Sequence, residues 1–128
     1  MAAFDTAEVN RLLEATTGKT TYTNPTTPMK LRLYTNTGSD GTAATSEVTG
    51  GSYTSQTIAW KSASARSIAN NGAITYTNMP ACTVQSVEVY DTNGTPRRAL
   101  WGALAANKTV DAGDTLTFAD GAIVLSVT

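Results

Sequence analysis

Apolar and polar residues change places along this chain with two different periods. From Met29 to Thr35, MKLRLYT alternates cleanly: Met29, Leu31 and Leu33 take one side, and Lys30, Arg32 and Tyr34 the other. Period two is the signature of a half-buried strand. SQTIAWK (55–61) turns Ile58 and Trp60 inward, and AITYT (73–77) does the same with Ile74 and Tyr76 after an Asn71-Gly72 turn. In TVQSVEVY (83–90) the apolar phase shifts between Val84 and the pair Val87 and Val89. A shift of that kind predicts a β-bulge near Gln85 and Ser86. ALWGALA (99–105) is apolar on both faces and reads as a central strand. Near the end, Leu116 and Phe118 alternate, Asp120-Gly121 reads as a hairpin turn, and Ile123, Leu125 and Val127 alternate on the return.

The other period appears once, at the start. Val9, Leu12 and Leu13 make a narrow apolar stripe at i, i+3, i+4, preceded by Asp5 and Glu8 in capping-box spacing and closed by Gly18. Phe4 and Val9 are placed for a hydrophobic staple. So small a face predicts a helix that must dock to persist, on its own domain or on a neighbour. KTTYTNPTTP (19–28) has two prolines and many threonines, which makes it an extended linker. NTGSDGTAATSEVTGG (36–51) is nearly free of large apolar residues and reads as a long exposed loop. The pattern therefore predicts an all-β, jelly-roll-like β-sandwich over 29–128, preceded by a helix and extended arm over 1–28. Deleting such an arm is expected to leave a folded sandwich, whereas unfolding would show that the helix belongs to the domain's own core.

Composition agrees with that reading. The chain has 128 residues, enough for one domain. Threonine supplies about a fifth of them, and its branched Cβ suits half-exposed strands better than helices. The net charge of −1 leaves no basic footprint for nucleic acid or an anionic membrane. Apolar runs are too short to cross a bilayer as a helix, and the first residues lack the basic start and apolar core of a secretory signal.

Candidate chemistry is thin. Cys82 is the lone cysteine and the chain has no histidine, so a thiol nucleophile lacks its commonest base and buried packing is the expected role. Asp111, Asp114 and Asp120 fit no metal-loop spacing and are expected to cap turns, as is DTNGT (91–95). Glu47 and Glu88 are the carboxylates open to acid–base work, but Glu88 alternates with valines and is expected on a solvated strand face. Arg97 and Arg98 follow a turn, where a solvated pair or contact with an acidic partner is expected. Trp60, Trp101, Tyr22, Tyr34, Tyr53, Tyr76 and Tyr90 allow an aromatic sugar-stacking face, against core packing as the plainer role. No catalytic set, metal site or cofactor site is expected.

Four pieces, in order, carry a family resemblance: RLLEATTG (11–18), TNPTTPMKLRLYT (23–35), EVTGGSYTSQTIAW (47–60) and WGALAANKTVDAGDTLTFADGAIVLSV (101–127). They resemble small structural proteins of tailed bacteriophages labelled tail fibre or minor structural protein. The last piece is the most specific and is similar to a family form reading YGALTTSKTVNAGDTLRFAAGDLTVTL. The chain departs from the family at LYTNTGSD (33–40) and TYTNMPACTVQSVEVYD (75–91). The resemblance implies a non-enzymatic virion component with a β-sandwich, present in several copies. Its expected place is the capsid surface, as a decoration (cement) protein at capsomer joints, with tail fibre or baseplate as the alternative. A carbohydrate- or receptor-binding module is the rival class. Expected partners are the major capsid protein or tail proteins of the same particle, with self-association as a trimer and neither nucleic acid nor membrane. Val9, Leu12, Leu13, Tyr22, Tyr34, Tyr53, Arg97 and Arg98 are the candidate contact residues.

Overall fold

A computed structural model describes residues 2–128. Its elements in chain order are β1 (Ala3–Phe4), α1 (Thr6–Thr16), β2 (Met29–Tyr34), β3 (Gln56–Ile58), β4 (Ser67–Ala69), β5 (Ile74–Tyr76), β6 (Cys82–Tyr90), β7 (Arg98–Val110), β8 (Leu116–Phe118) and β9 (Val124–Ser126). All named strand pairs are antiparallel. One sheet has five strands in the order β1-β7-β6-β2-β3, and two ribbons pair β4 with β9 and β5 with β8. The all-β reading with one short N-terminal helix holds.

The inward phases place a single core between the large sheet and the ribbons. Leu31, Leu33, Val84, Val87, Val89 and Leu100 from the sheet meet Ile74, Tyr76, Leu116 and Leu125 from the ribbons. Tyr76 carries its hydroxyl into this core and donates it to the Leu31 carbonyl at 2.7 Å, which removes the cost of burying the polar group. The phase shift in β6 is real: the register with β7 slips between Val84 and Ser86, so Val84 and Val87 both reach the core. A second slip, between Val89 and Tyr90, had no counterpart in the apolar pattern.

Three expectations need correction. Asp120-Gly121 does turn the chain, with Ala122 N–H donating to the Ala119 carbonyl at 3.0 Å, but it closes no hairpin. β8 turns back onto β5 and β9 onto β4, because the turn carries the chain from one ribbon to the other. Val127 lies past β9 and is exposed. The segment 36–51 is not wholly a solvent loop either. Ala44 and Val48 are buried, and the backbone of Thr35 and Val48 bonds across to Ser46 and Leu33 at 2.9 Å each. Val48 joins the core, while residues 36–44 fold over the other face of the large sheet, where Ser86 is buried together with Tyr34 and Glu88, the two that alternation alone turned away from the core.

Residues 2–22 are tied into this body. β1 lies beside β7, with Ala3 opposite Trp101 and Phe4 opposite Leu100. Ala2 bridges to Leu125 in the parallel sense, so the N-terminus lies in the seam between the large sheet and the β4/β9 ribbon. Asp5 caps α1 by accepting from Ala7 N–H, and the helix ends in a Schellman arrangement: Gly18 N–H reaches Ala15 and Lys19 N–H reaches Glu14, with Gly18 at φ +76°. Only half of the expected capping box forms. The Asp5 N–H donates to the Ala99 carbonyl at 2.9 Å, and Glu8 turns away to other partners.

Candidate functional site

Three charged residues that the sequence placed in solvent, Glu88, Arg97 and Arg98, converge beneath the first turn of α1. Arg98 opens β7, and the register slip beside it puts its side chain on the same face as Glu88 and Tyr90. It is only 7% exposed. Its five N–H donors all find acceptors: Nε and Nη2 reach Asp5 Oδ1 at 2.9 and 2.5 Å, Nη1 reaches Glu88 Oε2 at 2.8 Å, and the Ser39 and Thr42 carbonyls take the remaining two at 2.7 and 3.2 Å. Glu88, 1% exposed, also accepts from Ala44 N–H at 2.9 Å and from the Tyr90 hydroxyl at 3.0 Å. Burial works against the Arg98 charge, but hydrogen bonds to Asp5 and Glu88 outweigh it and hold its pKa above the ordinary arginine value. The solvated positions expected for Glu88 and Arg98 are thus overturned. Alternation reveals which face a residue takes, not what covers that face.

Arg97 builds a second group beside the first. Its guanidinium pairs with Glu8, donates to the Tyr22 hydroxyl at 3.1 Å and to the Thr23 carbonyl at 3.0 Å, and stands over the Tyr22 ring at 5.5 Å. Glu8, 2% exposed, also accepts from Arg11 at 2.5 Å and from Tyr22 at 2.8 Å. Burial, then the Glu8 carboxylate, push the Tyr22 phenol above its ordinary pKa. Three carboxylates (Asp5, Glu8, Glu88) are matched by three guanidiniums (Arg11, Arg97, Arg98). Such a set holds its members in place but has no unpaired base or acid left for chemistry on a substrate.

The helix is consequently seated by its charge. Glu8 is its one fully buried residue, whereas Val9 and Leu13 are 38% and 59% exposed and Leu12 is half-buried. Between the N-terminal segment and the body lies an open apolar cleft of about 410 Å³, with Phe4, Tyr22, Pro25, Met29, Trp60 and Leu100 among its walls.

The remaining candidates are dispersed. Tyr34 is buried, and Tyr53 lies stacked on Tyr76 at 5.7 Å while its hydroxyl donates to Glu47 at 3.0 Å and accepts from Leu33 N–H at 2.9 Å. Burial raises the pKa of Tyr34, Tyr53 and Tyr76 alike. The plainer role, packing, is the one these aromatics take, and the sugar-stacking alternative has no continuous exposed face: Tyr34, Tyr76 and Tyr90 are buried and Trp60 packs against the core. Cys82 is half-buried, and burial pushes its thiol up, away from nucleophilic readiness. Asp120 salt-bridges Lys61 at 2.8 Å and accepts from Gly72 N–H at 2.7 Å, which holds its carboxyl below the ordinary value. Asp114 accepts from Asp111 N–H at 2.9 Å across their turn. Among the described residues, no group of three or more His, Cys, Asp or Glu side chains is arranged to hold a metal ion.

No curated protein matches the chain. A family model described as podophage GP4 fiber I protein gp80 matches residues 3–126, nearly the whole length. The chain belongs to that family.

Proposed function

We propose that this member of the podophage fibre family is a non-enzymatic structural component of the virion, built into the fibre itself. The family match over residues 3–126 carries the reading. The consumption of the buried carboxylates and guanidiniums in mutual pairs supports it, since none is left poised for acid–base work. Fibre subunits act by being present in many copies, so that modest contacts add up through avidity. The partners in this reading are further copies of the chain, with a trimer as the favoured unit, and other tail proteins of the same particle. Decoration of the capsid surface is the second reading, and the exposed Val9 and Leu13 face favours it as a docking patch for a shell protein. Glycan binding loses support with the burial of Tyr34.

Immunogold electron microscopy of intact particles, with antibody raised against the purified chain, tests this directly. Gold on the fibres is the expected result. Gold over the head would establish the second reading in its place, and purified particles free of label would overturn a virion role altogether.

A further inference from the structure

We infer that residues 2–22 form an exchangeable clasp, whose seat on the body accepts the same segment from a second copy of this chain. The inference is independent of where on the particle the protein stands.

The clasp is held by few and mainly polar contacts. β1 has two residues, and its removal would free the carbonyls of Ala99 and Val124, which accept from Asp5 and Ala2 N–H at 2.9 and 3.0 Å. The seam between β7 and β9 would then be an open strand edge, ready to pair with another chain. The helix adds Glu8 and little apolar burial, its Val9 and Leu13 pointing away from the body. Beneath it the 410 Å³ cleft is left unfilled, so the seat is under-packed where a permanent core contact would be tight.

The seat is nonetheless selective. Arg97 and Arg98 face the clasp side by side and require two carboxylates, one capping a helix and one a turn later, behind a strand residue that enters the core. Phe4, Asp5 and Glu8 meet that requirement within one segment. A partner without paired acids would leave Arg97 without its carboxylate and Arg98 with Glu88 alone, a cost that disfavours most other occupants. A second copy carries the matching segment by identity.

Asn24 and Pro25 supply the hinge. Past Tyr22 the segment is tied to the body once more, where the Thr23 carbonyl accepts from Arg97 at 3.0 Å, and the linker is pinned again at Thr26, whose N–H donates to Asp91 at 3.1 Å and whose carbonyl accepts from Thr92 N–H at 3.1 Å. The three residue steps from Thr23 to Thr26 reach about 10 Å at full extension. That suffices for exchange between touching copies and for nothing more distant.

Hinge length is the test, on the full chain with light scattering across concentration. Deleting Asn24 and Pro25 prevents the clasp from reaching its own seat, and inserting Gly-Ser-Gly-Ser after Asn24 eases closure. The deletion is expected to tighten self-association by about tenfold or more and the insertion to weaken it similarly. A second measurement uses Ala3→Cys with Trp101→Cys in a Cys82→Ser background, residues that face each other across β1 and β7. Oxidation of the associated protein is expected to give covalent dimers and larger species on a non-reducing denaturing gel. Association insensitive to hinge length, or oxidised oligomers that fall apart wholly to monomers on that gel, would overturn the exchange. So would a full-length chain that stays monomeric up to its solubility limit.

Discussion

Arg98 concentrates the lesson of single residues. A guanidinium after a turn and beside another arginine looks solvated in any reading of sequence. Its burial depends on a register slip in β6 and β7 that no apolar phase announces, and on a covering segment, 36–44, that looked like plain loop. Glu88 was missed for the same reason. The signal that was available is that both lie next to core residues on long strands, so each needed a partner if anything packed over that face. Replacing Arg98 with Met leaves Asp5 and Glu88 buried without their counter-ion. A loss of about 3–5 kcal/mol is expected, because an uncompensated buried charge costs more than the pair contributed. Chemical denaturation of Arg98→Met beside the parent chain measures it.

Single elements were more legible where their signal is local. The bulge in β6 followed from three valines out of phase, the helix cap from Asp5, and its stop from Gly18. The supposed hairpin at Asp120 failed because a turn shows that the chain reverses, not which strand it then meets. The 91–97 turn shows how much one such element can hold. Asp91 Oδ1 accepts from Arg97 N–H at 2.8 Å, and Oδ2 accepts from Thr26 N–H at 3.1 Å, so the turn anchors the linker as well as itself. Burial pushes the Asp91 carboxyl up, but the backbone donors of Arg97, Thr26 and Asn93 win and hold it below its ordinary value. A pKa depressed on folding stabilises the protein above the unfolded carboxylate range, about pH 4, and the contribution fades as pH falls through the folded value. Asp91→Asn is therefore expected to lose stability at neutral pH and to show a shallower acid limb. Thermal unfolding from pH 7 downward reads both effects.

At the scale of the whole molecule, the all-β architecture was legible because threonine content, period-two runs and frequent turn signals agree on it. Membership of a phage fibre family was legible too, in the ordered pieces ending with WGALAANKTVDAGDTLTFADGAIVLSV. What the pattern did not disclose is the way the N-terminal segment attaches. Sequence set residues 1–28 apart as a helix and extended arm, and three apolar positions on the helix left open whether it docks on its own domain or on a neighbour. In the structure the helix docks through Glu8, the strand before it closes the seam between two layers, and the apolar stripe stays largely outward. Charge, not hydrophobic period, decides which side of this helix meets the body. The fold is then one β-body completed by its own N-terminus, and that completion is the claim on which the assembly proposal depends.

The most direct measurement compares denaturant unfolding of the full chain with that of a chain lacking residues 1–22. If the N-terminal segment completes the fold, the shortened chain unfolds at clearly lower denaturant, because Phe4 leaves its seat and Arg97 and Arg98 lose Glu8 and Asp5. An unchanged midpoint with an intact β-sheet spectrum would contradict the account.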